Sequence, residues 1–147
     1  MSSSDEDMMR RAIALARVQH GRTGANPAVG CVIMGADGRR ISEGATGDGG
    51  RPHAEQLALS NLAGKLPAGS TAYVTLEPCR ERSTGEAACS SRLIDAGIAR
   101  VVVAVMDRHP KGAGGKAAIE AAGVAIETGF LEDEAAFLYQ DFFAALD

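Results

Sequence analysis

Two short segments hold residue types that do metal chemistry. His53-Ala54-Glu55 follows a Gly-rich loop, Gly44 to Gly50, closed by Pro52, and opens a predicted helix. Glu77-Pro78-Cys79 ends a predicted strand, and Cys89 opens another helix ten positions later. One histidine and two cysteines are three soft ligands for Zn2+. A catalytic zinc site takes three protein ligands and leaves its fourth tetrahedral position to water, whereas a structural site takes four. The ion lowers the pKa of that water toward ~7. Glu55 stands two residues beyond His53. From there it can take the proton of the water and pass it to a leaving amine without ligating the metal. The N-termini of the helices favour the thiolates that bind metal.

Each piece has a plainer reading on its own. A lone His53 is a loop or helix-cap histidine, and a lone Cys79 or Cys89 is a small core residue. The joint pattern puts zinc ahead, because His-x-Glu and Pro-Cys with a second cysteine each fall at an element end. H-x-E followed by P-C-x-x-C marks zinc nucleobase deaminases. Here the first half and Pro78-Cys79 match, and the second cysteine lies at a longer spacing. The remaining soft side chains read as structure. Cys31 falls inside an apolar strand, His20 at a helix C-terminus, and His109 in a turn before Pro110. Gly112 to Lys116 lacks the G-x-x-x-x-G-K-[ST] spacing of a phosphate loop.

The positioning elements follow from pattern. Met9, Ile13, Leu15 and Ala16 recur at helical spacing after an acidic first turn, up to His20-Gly21. Val29 to Met34 is a short apolar run read as a strand, and Ala36-Asp37-Gly38 turns into a return strand at Ile41 to Gly44. A helix runs from His53 to about Leu62, and a strand spans Thr71 to Leu76. A helix ends near Ala96 at Gly97, and a strand spans Arg100 to Met106. The Val101 to Val105 run is apolar on both faces, as a strand covered by helices on both sides requires. A short helix at Lys116 to Ala122, a last strand at Val124 to Thr128 and one last helix at Glu132 to Leu146 complete the order. The expected fold class is α/β, a three-layer α/β/α sandwich with a five-stranded mixed sheet. Its opening pair is antiparallel and its later strands are joined by helices.

Composition narrows the function classes. The chain has 147 residues, 46% hydrophobic and 23% charged, with a net charge of -4. That is one globular domain, expected over 1–147. The acidic balance argues against nucleic acid as partner. No apolar run nears the roughly 20 residues of a membrane helix. Met1 to Asp7 has no signal-peptide character, and three cysteines make no paired framework. A reducing cytoplasm is expected. Five of the six aromatic residues lie at Phe130, Phe137, Tyr139, Phe142 and Phe143. They are expected to pack on the sheet, or to form a subunit interface or a wall of a neighbouring site.

The sequence resembles the deaminase domain of the riboflavin-biosynthesis pyrimidine deaminases, within the cytidine-deaminase-like superfamily. The resemblance runs through Asn26-Pro27-Ala28-Val29-Gly30, His53-Ala54-Glu55, Thr75-Leu76-Glu77-Pro78-Cys79, Ala96 to Val101 and Gly129 to Phe143. It implies His53, Cys79 and Cys89 as zinc ligands and Glu55 as proton shuttle. It also implies Asn26 as a hydrogen-bond partner of the substrate and the Ala54 backbone beside the reacting centre. The implied reaction is hydrolytic loss of an exocyclic amine from an aminopyrimidine. The implied assembly is a homo-oligomer, a dimer or tetramer. Related chains often continue into a reductase. At 147 residues a lone deaminase is expected, with any reductase step left to another protein.

The sequence departs from the family between its two cysteines. Where the family usually has a serine, histidines, a basic residue and Thr-Pro-Pro, this stretch reads Arg80-Glu81-Arg82-Ser83-Thr84-Gly85-Glu86-Ala87-Ala88 and is one residue longer than expected. A histidine common before the His-Ala-Glu segment is replaced around Thr46, and Asp107-Arg108-His109-Pro110 replaces Asp-Pro-Asn-Pro. Arg80 and Arg82 are candidates for holding a substrate phosphate, or are solvated loop charges. Two alternatives stay open: a deaminase of a free nucleobase, nucleoside or secondary-metabolite amine, and a non-catalytic zinc-binding assembly module. Glu55 argues against the last, since a structural site needs no proton shuttle.

Overall fold

The computed structural model describes residues 3–79, 88–108 and 114–145. The five strands are β1 (Gly30–Met34), β2 (Arg40–Ala45), β3 (Thr71–Leu76), β4 (Arg100–Val105) and β5 (Ala125–Glu127). They form one sheet in the order β2-β1-β3-β4-β5. β1 is antiparallel to β2 and β3, while β3, β4 and β5 run parallel. This is the expected mixed sheet.

Alternation along the strands feeds two cores. Val32, Tyr73, Val102 and Ala104 face one side, where they meet Met9, Ala12, Ile13 and Ala16 of α1 (Ser3–Gln19). Cys31, Ile33, Ala72, Val74, Val101 and Val103 belong to the other core. There they meet α2 (Ala54–Ser60), α3 (Cys89–Ala96) and α4 (Gly115–Ala121). β3 is buried along its whole length and β4 from Val101 onward, which explains their unbroken apolar character. Among the described residues no helix is long and apolar enough to cross a membrane.

Gly30 fixes how close α1 comes. A Cβ built there would sit 1.9 Å from the Ala12 carbonyl oxygen. Gly30→Ala must push α1 off β1, and overpacking of this kind costs about 1–3 kcal/mol. Urea unfolding should show a lowered midpoint. An unchanged midpoint would mean that the helix shifts freely.

Asp5 stands in the acidic first turn of α1, as expected, and is buried. It accepts from Tyr73 Oη, and the Arg100 guanidinium grips both its oxygens at 3.1 and 3.2 Å. The tail, read as one helix from Glu132 to Leu146, is broken. It comprises α5 (Glu132–Ala135), a 3-10 turn (Ala136–Leu138) and α6 (Gln140–Ala144). Leu138 and Tyr139 are drawn into the α1-side core, and Tyr139 leaves helical geometry at φ −119°, ψ 1°. No glycine or proline marks that break in the sequence.

Candidate metal centre

His53 caps α2 with extended backbone (φ −72°, ψ 155°), so its imidazole stands at the helix mouth rather than along it. The preceding loop is closed by a Gly47 N–H bond to the Pro52 carbonyl at 3.0 Å. Cys79 follows the end of β3, and Cys89 is the first residue of α3. The ligand atoms of His53, Cys79 and Cys89 all lie within 4.8 Å of one another. The imidazole offers Nδ1, which is 3.3 Å from Cys89 Sγ.

This spacing can be tested against a metal. With Zn–N near 2.0 Å and Zn–S near 2.3 Å, ligand atoms at tetrahedral angles lie roughly 3.5–3.8 Å apart. The three donors fit one ion with little movement. The donor set, one imidazole and two thiols, suits zinc rather than a hard cation. Among the described residues no other His, Cys, Asp or Glu cluster of this kind occurs.

Cys79 is held from several directions. The Cys89 amide donates to its sulfur at 3.1 Å, and the Ser90 amide and hydroxyl donate to its carbonyl at 3.2 and 2.9 Å. Hydrogen bonds from Cys89, and then from His53, pull the Cys79 thiol well below its ordinary range in spite of burial. That favours the thiolate a metal needs. Glu55 is 3% exposed beside these groups. Burial, and then the negative charge on Cys79, push its carboxyl above the ordinary range. A carboxyl that readily holds a proton suits a group that must take one up and give it away.

The other sequence candidates fall into place around this cluster. Asn26 is exposed, and its amide donates to the Gly50 carbonyl at 3.2 Å, on the loop leading to His53. Ala54 is fully buried, its methyl in the α2-side core. Cys31 is a core thiol, pushed up by burial. His20 follows α1 and meets the Phe137 ring edge-on. Arg80, Arg82 and His109 lie outside the described residues.

Sequence reasoning missed a buried support for the site. Glu77 is 4% exposed, and its carboxylate accepts from the amides of Asp107, Gly114 and Lys116 at 3.2, 3.3 and 2.8 Å. One side chain thus ties the strand end before Cys79 to the start of α4 and to the segment after β4. Its place in Glu-Pro-Cys was visible in the sequence, but its acceptors' partners are backbone amides, which no residue type announces.

Residues 2–105 match the family described as the cytidine and deoxycytidylate deaminase zinc-binding region. The chain is 42% identical over 139 residues to the riboflavin biosynthesis protein RibD of Escherichia coli (strain K12), covering 94% of this chain and 37% of that protein. It is 39% identical over 136 residues to the diaminohydroxyphosphoribosylamino-pyrimidine deaminase of Buchnera aphidicola, covering 92% of this chain and 90% of that one. The crystal structure of a Thermotoga maritima diaminohydroxyphosphoribosylaminopyrimidine deaminase/5-amino-6-(5-phosphoribosylamino)uracil reductase superposes with a TM-score of 0.90 at 35% identity, covering 97% of this chain and 41% of that chain. The chain spans about two fifths of the length of the RibD relatives it matches.

Proposed function

Because this chain belongs to the cytidine and deoxycytidylate deaminase zinc-binding family, we propose that it hydrolyses the exocyclic amine of diaminohydroxyphosphoribosylaminopyrimidine, releasing ammonia. The observation that supports this most is the convergence of three soft ligand atoms within 4.8 Å, beside a buried carboxylate two residues from the imidazole. A relative matched almost end to end bears that substrate in its name.

In this reading His53 Nδ1 and the Cys79 and Cys89 sulfurs hold zinc. A zinc ion so held supplies Lewis-acid activation of water. Glu55 does the proton work. Its carboxylate takes one proton as the water oxygen adds to the ring carbon and gives it to the adjacent ring nitrogen, then takes the proton of the new hydroxyl and delivers it to the amine nitrogen as the C–N bond breaks. The ring carbon ends as a carbonyl and the nitrogen leaves as ammonia. Asn26 hydrogen-bonds the substrate. Its Nδ2 donates one hydrogen to the Gly50 carbonyl, which leaves Oδ1 as an acceptor and the second Nδ2 hydrogen as a donor for a ligand.

The divergent stretch between Cys79 and Cys89 favours a second reading, a deaminase of an unphosphorylated base or nucleoside. Arg80 and Arg82 separate the two. If they hold a phosphate, replacing both by alanine should raise KM for the ribotide at least about tenfold, since hydrogen bonds to charged groups contribute about 1.5–3 kcal/mol each. Unaltered KM on every phosphorylated candidate would remove them from that role. An ammonia-release screen of the zinc-loaded protein over aminopyrimidine ribotides, free bases and nucleosides tests the function directly. No release from any ribotide would overturn the first reading.

A further inference from the structure

The segment from Asn26 to Gly30 lies beside the loop that presents His53, and most of it precedes the sheet. Its main-chain groups need partners that strand pairing does not supply. Four hydroxyl side chains supply them. Thr23 Oγ1 donates to the Asn26 carbonyl at 2.6 Å, and Tyr139 Oη donates to the Ala28 carbonyl at 2.8 Å. The Val29 amide donates to Thr46 Oγ1 at 2.9 Å, and the Gly30 amide donates to Thr75 Oγ1 at 3.0 Å. All four hydroxyl residues are 3% exposed or less. They come from the turn after α1, the end of β2, the middle sheet strand β3 and the tail.

Two of them form a directed chain. Thr75 Oγ1 and Tyr139 Oη are 2.6 Å apart. The Ala28 carbonyl can only accept, so the single phenol proton goes to it. Thr75 must then donate to the phenol oxygen while it accepts from Gly30. The chain runs from the Gly30 amide through Thr75 and Tyr139 to the Ala28 carbonyl, and brackets the two peptides between them. Burial keeps the phenol neutral by pushing its pKa up, so that proton stays in place.

We infer that Tyr139, acting through Thr75, is a positioning residue that sets the backbone of the substrate-facing Asn26 segment, and that the tail therefore belongs to the binding site. The inference rests on Asn26 meeting the substrate. Tyr139 does not touch the reacting atoms. It lies beyond residues 2–105, so the family match does not reach it. Gly50 closes the other side: a Cβ there would fall 2.4 Å from Asn26 Nδ2.

Steady-state kinetics on diaminohydroxyphosphoribosylaminopyrimidine, with zinc content and melting temperature measured in parallel, tests this. Tyr139→Phe keeps the ring and removes only the hydroxyl. It should raise KM about tenfold, the effect of one lost buried hydrogen bond near the top of the usual range. kcat should stay within about twofold and zinc should be unchanged. Thr75→Val should repeat that pattern and Thr75→Ser should restore wild-type KM, which keeps the test open if Tyr139→Phe fails to fold. A lowered melting temperature with unchanged KM would reduce the network to a structural brace and overturn the inference, as would a fall in kcat alone. Asn26→Ala separates the premise from the inference. If it leaves KM unchanged, the Asn26 reading falls and takes the inference with it. If it raises KM while Tyr139→Phe does not, the inference alone falls.

Discussion

Glu55→Ala loses ammonia release while keeping the fold and the zinc. The expected loss in kcat is at least about 10²–10⁴-fold, the usual contribution of a positioned acid–base group. It exceeds that range if proton uptake and delivery both pass through this one carboxylate. The geometry explains why zinc should stay. Glu55 sits at the first turn of α2, two residues from His53, and is not one of the three atoms that converge. It also explains why the fold should stay. Burial disfavours the ionised carboxyl and outweighs its hydrogen bonds to Cys89 and its own backbone, so truncating it should not unfold the chain. Glu55→Gln is the sharper variant, since it keeps shape and removes only the proton exchange. Metal analysis, circular dichroism and an ammonia assay on both variants decide the matter. Ammonia release within tenfold of wild type from either variant would take Glu55 out of the shuttle role.

The sequence showed these side chains because their chemistry is tied to type and spacing. His53, Glu55, Cys79 and Cys89 each fall at an element boundary, and the boundaries of β3 and α3 are readable from an apolar run and a closing Gly97. The supports were not readable in the same way. Glu77 works through three amides from a distant part of the chain, and Tyr139 through a carbonyl more than a hundred residues away. Such contacts depend on where the fold brings main-chain groups, and hydrophobic periodicity does not record that. The tail shows the same limit. Its helical pattern from Glu132 is real, but the burial of Leu138 and Tyr139 outweighs local propensity and breaks it. Thr46 shows the same limit, since its hydroxyl accepts from the amide of Val29, seventeen residues away in the chain.

Cys89→Ala should abolish stable zinc binding. Three ligands are the fewest that hold a catalytic zinc in place, and partners outside the ligand shell alone change metal affinity 10–100-fold. Loss of a ligand should therefore weaken binding by more than about 10²-fold. The effect should be larger than the missing bond implies, because Cys89 also conditions its neighbour. Its amide and side chain lower the Cys79 thiol, and its sulfur lies 3.3 Å from His53 Nδ1. Without that sulfur the Cys79 thiol rises toward its ordinary range and competes with protons for the metal. The matched control is Cys31→Ala, which removes one thiol from the same chain. Cys31 is fully buried in the α2-side core and is no part of the converging cluster. It should cost some stability and leave zinc at one ion per chain. Metal content after dialysis against a moderate chelator reads both variants on one scale. Zinc undiminished in Cys89→Ala, or lost equally in Cys31→Ala, would break the ligand assignment on which the proposed chemistry depends.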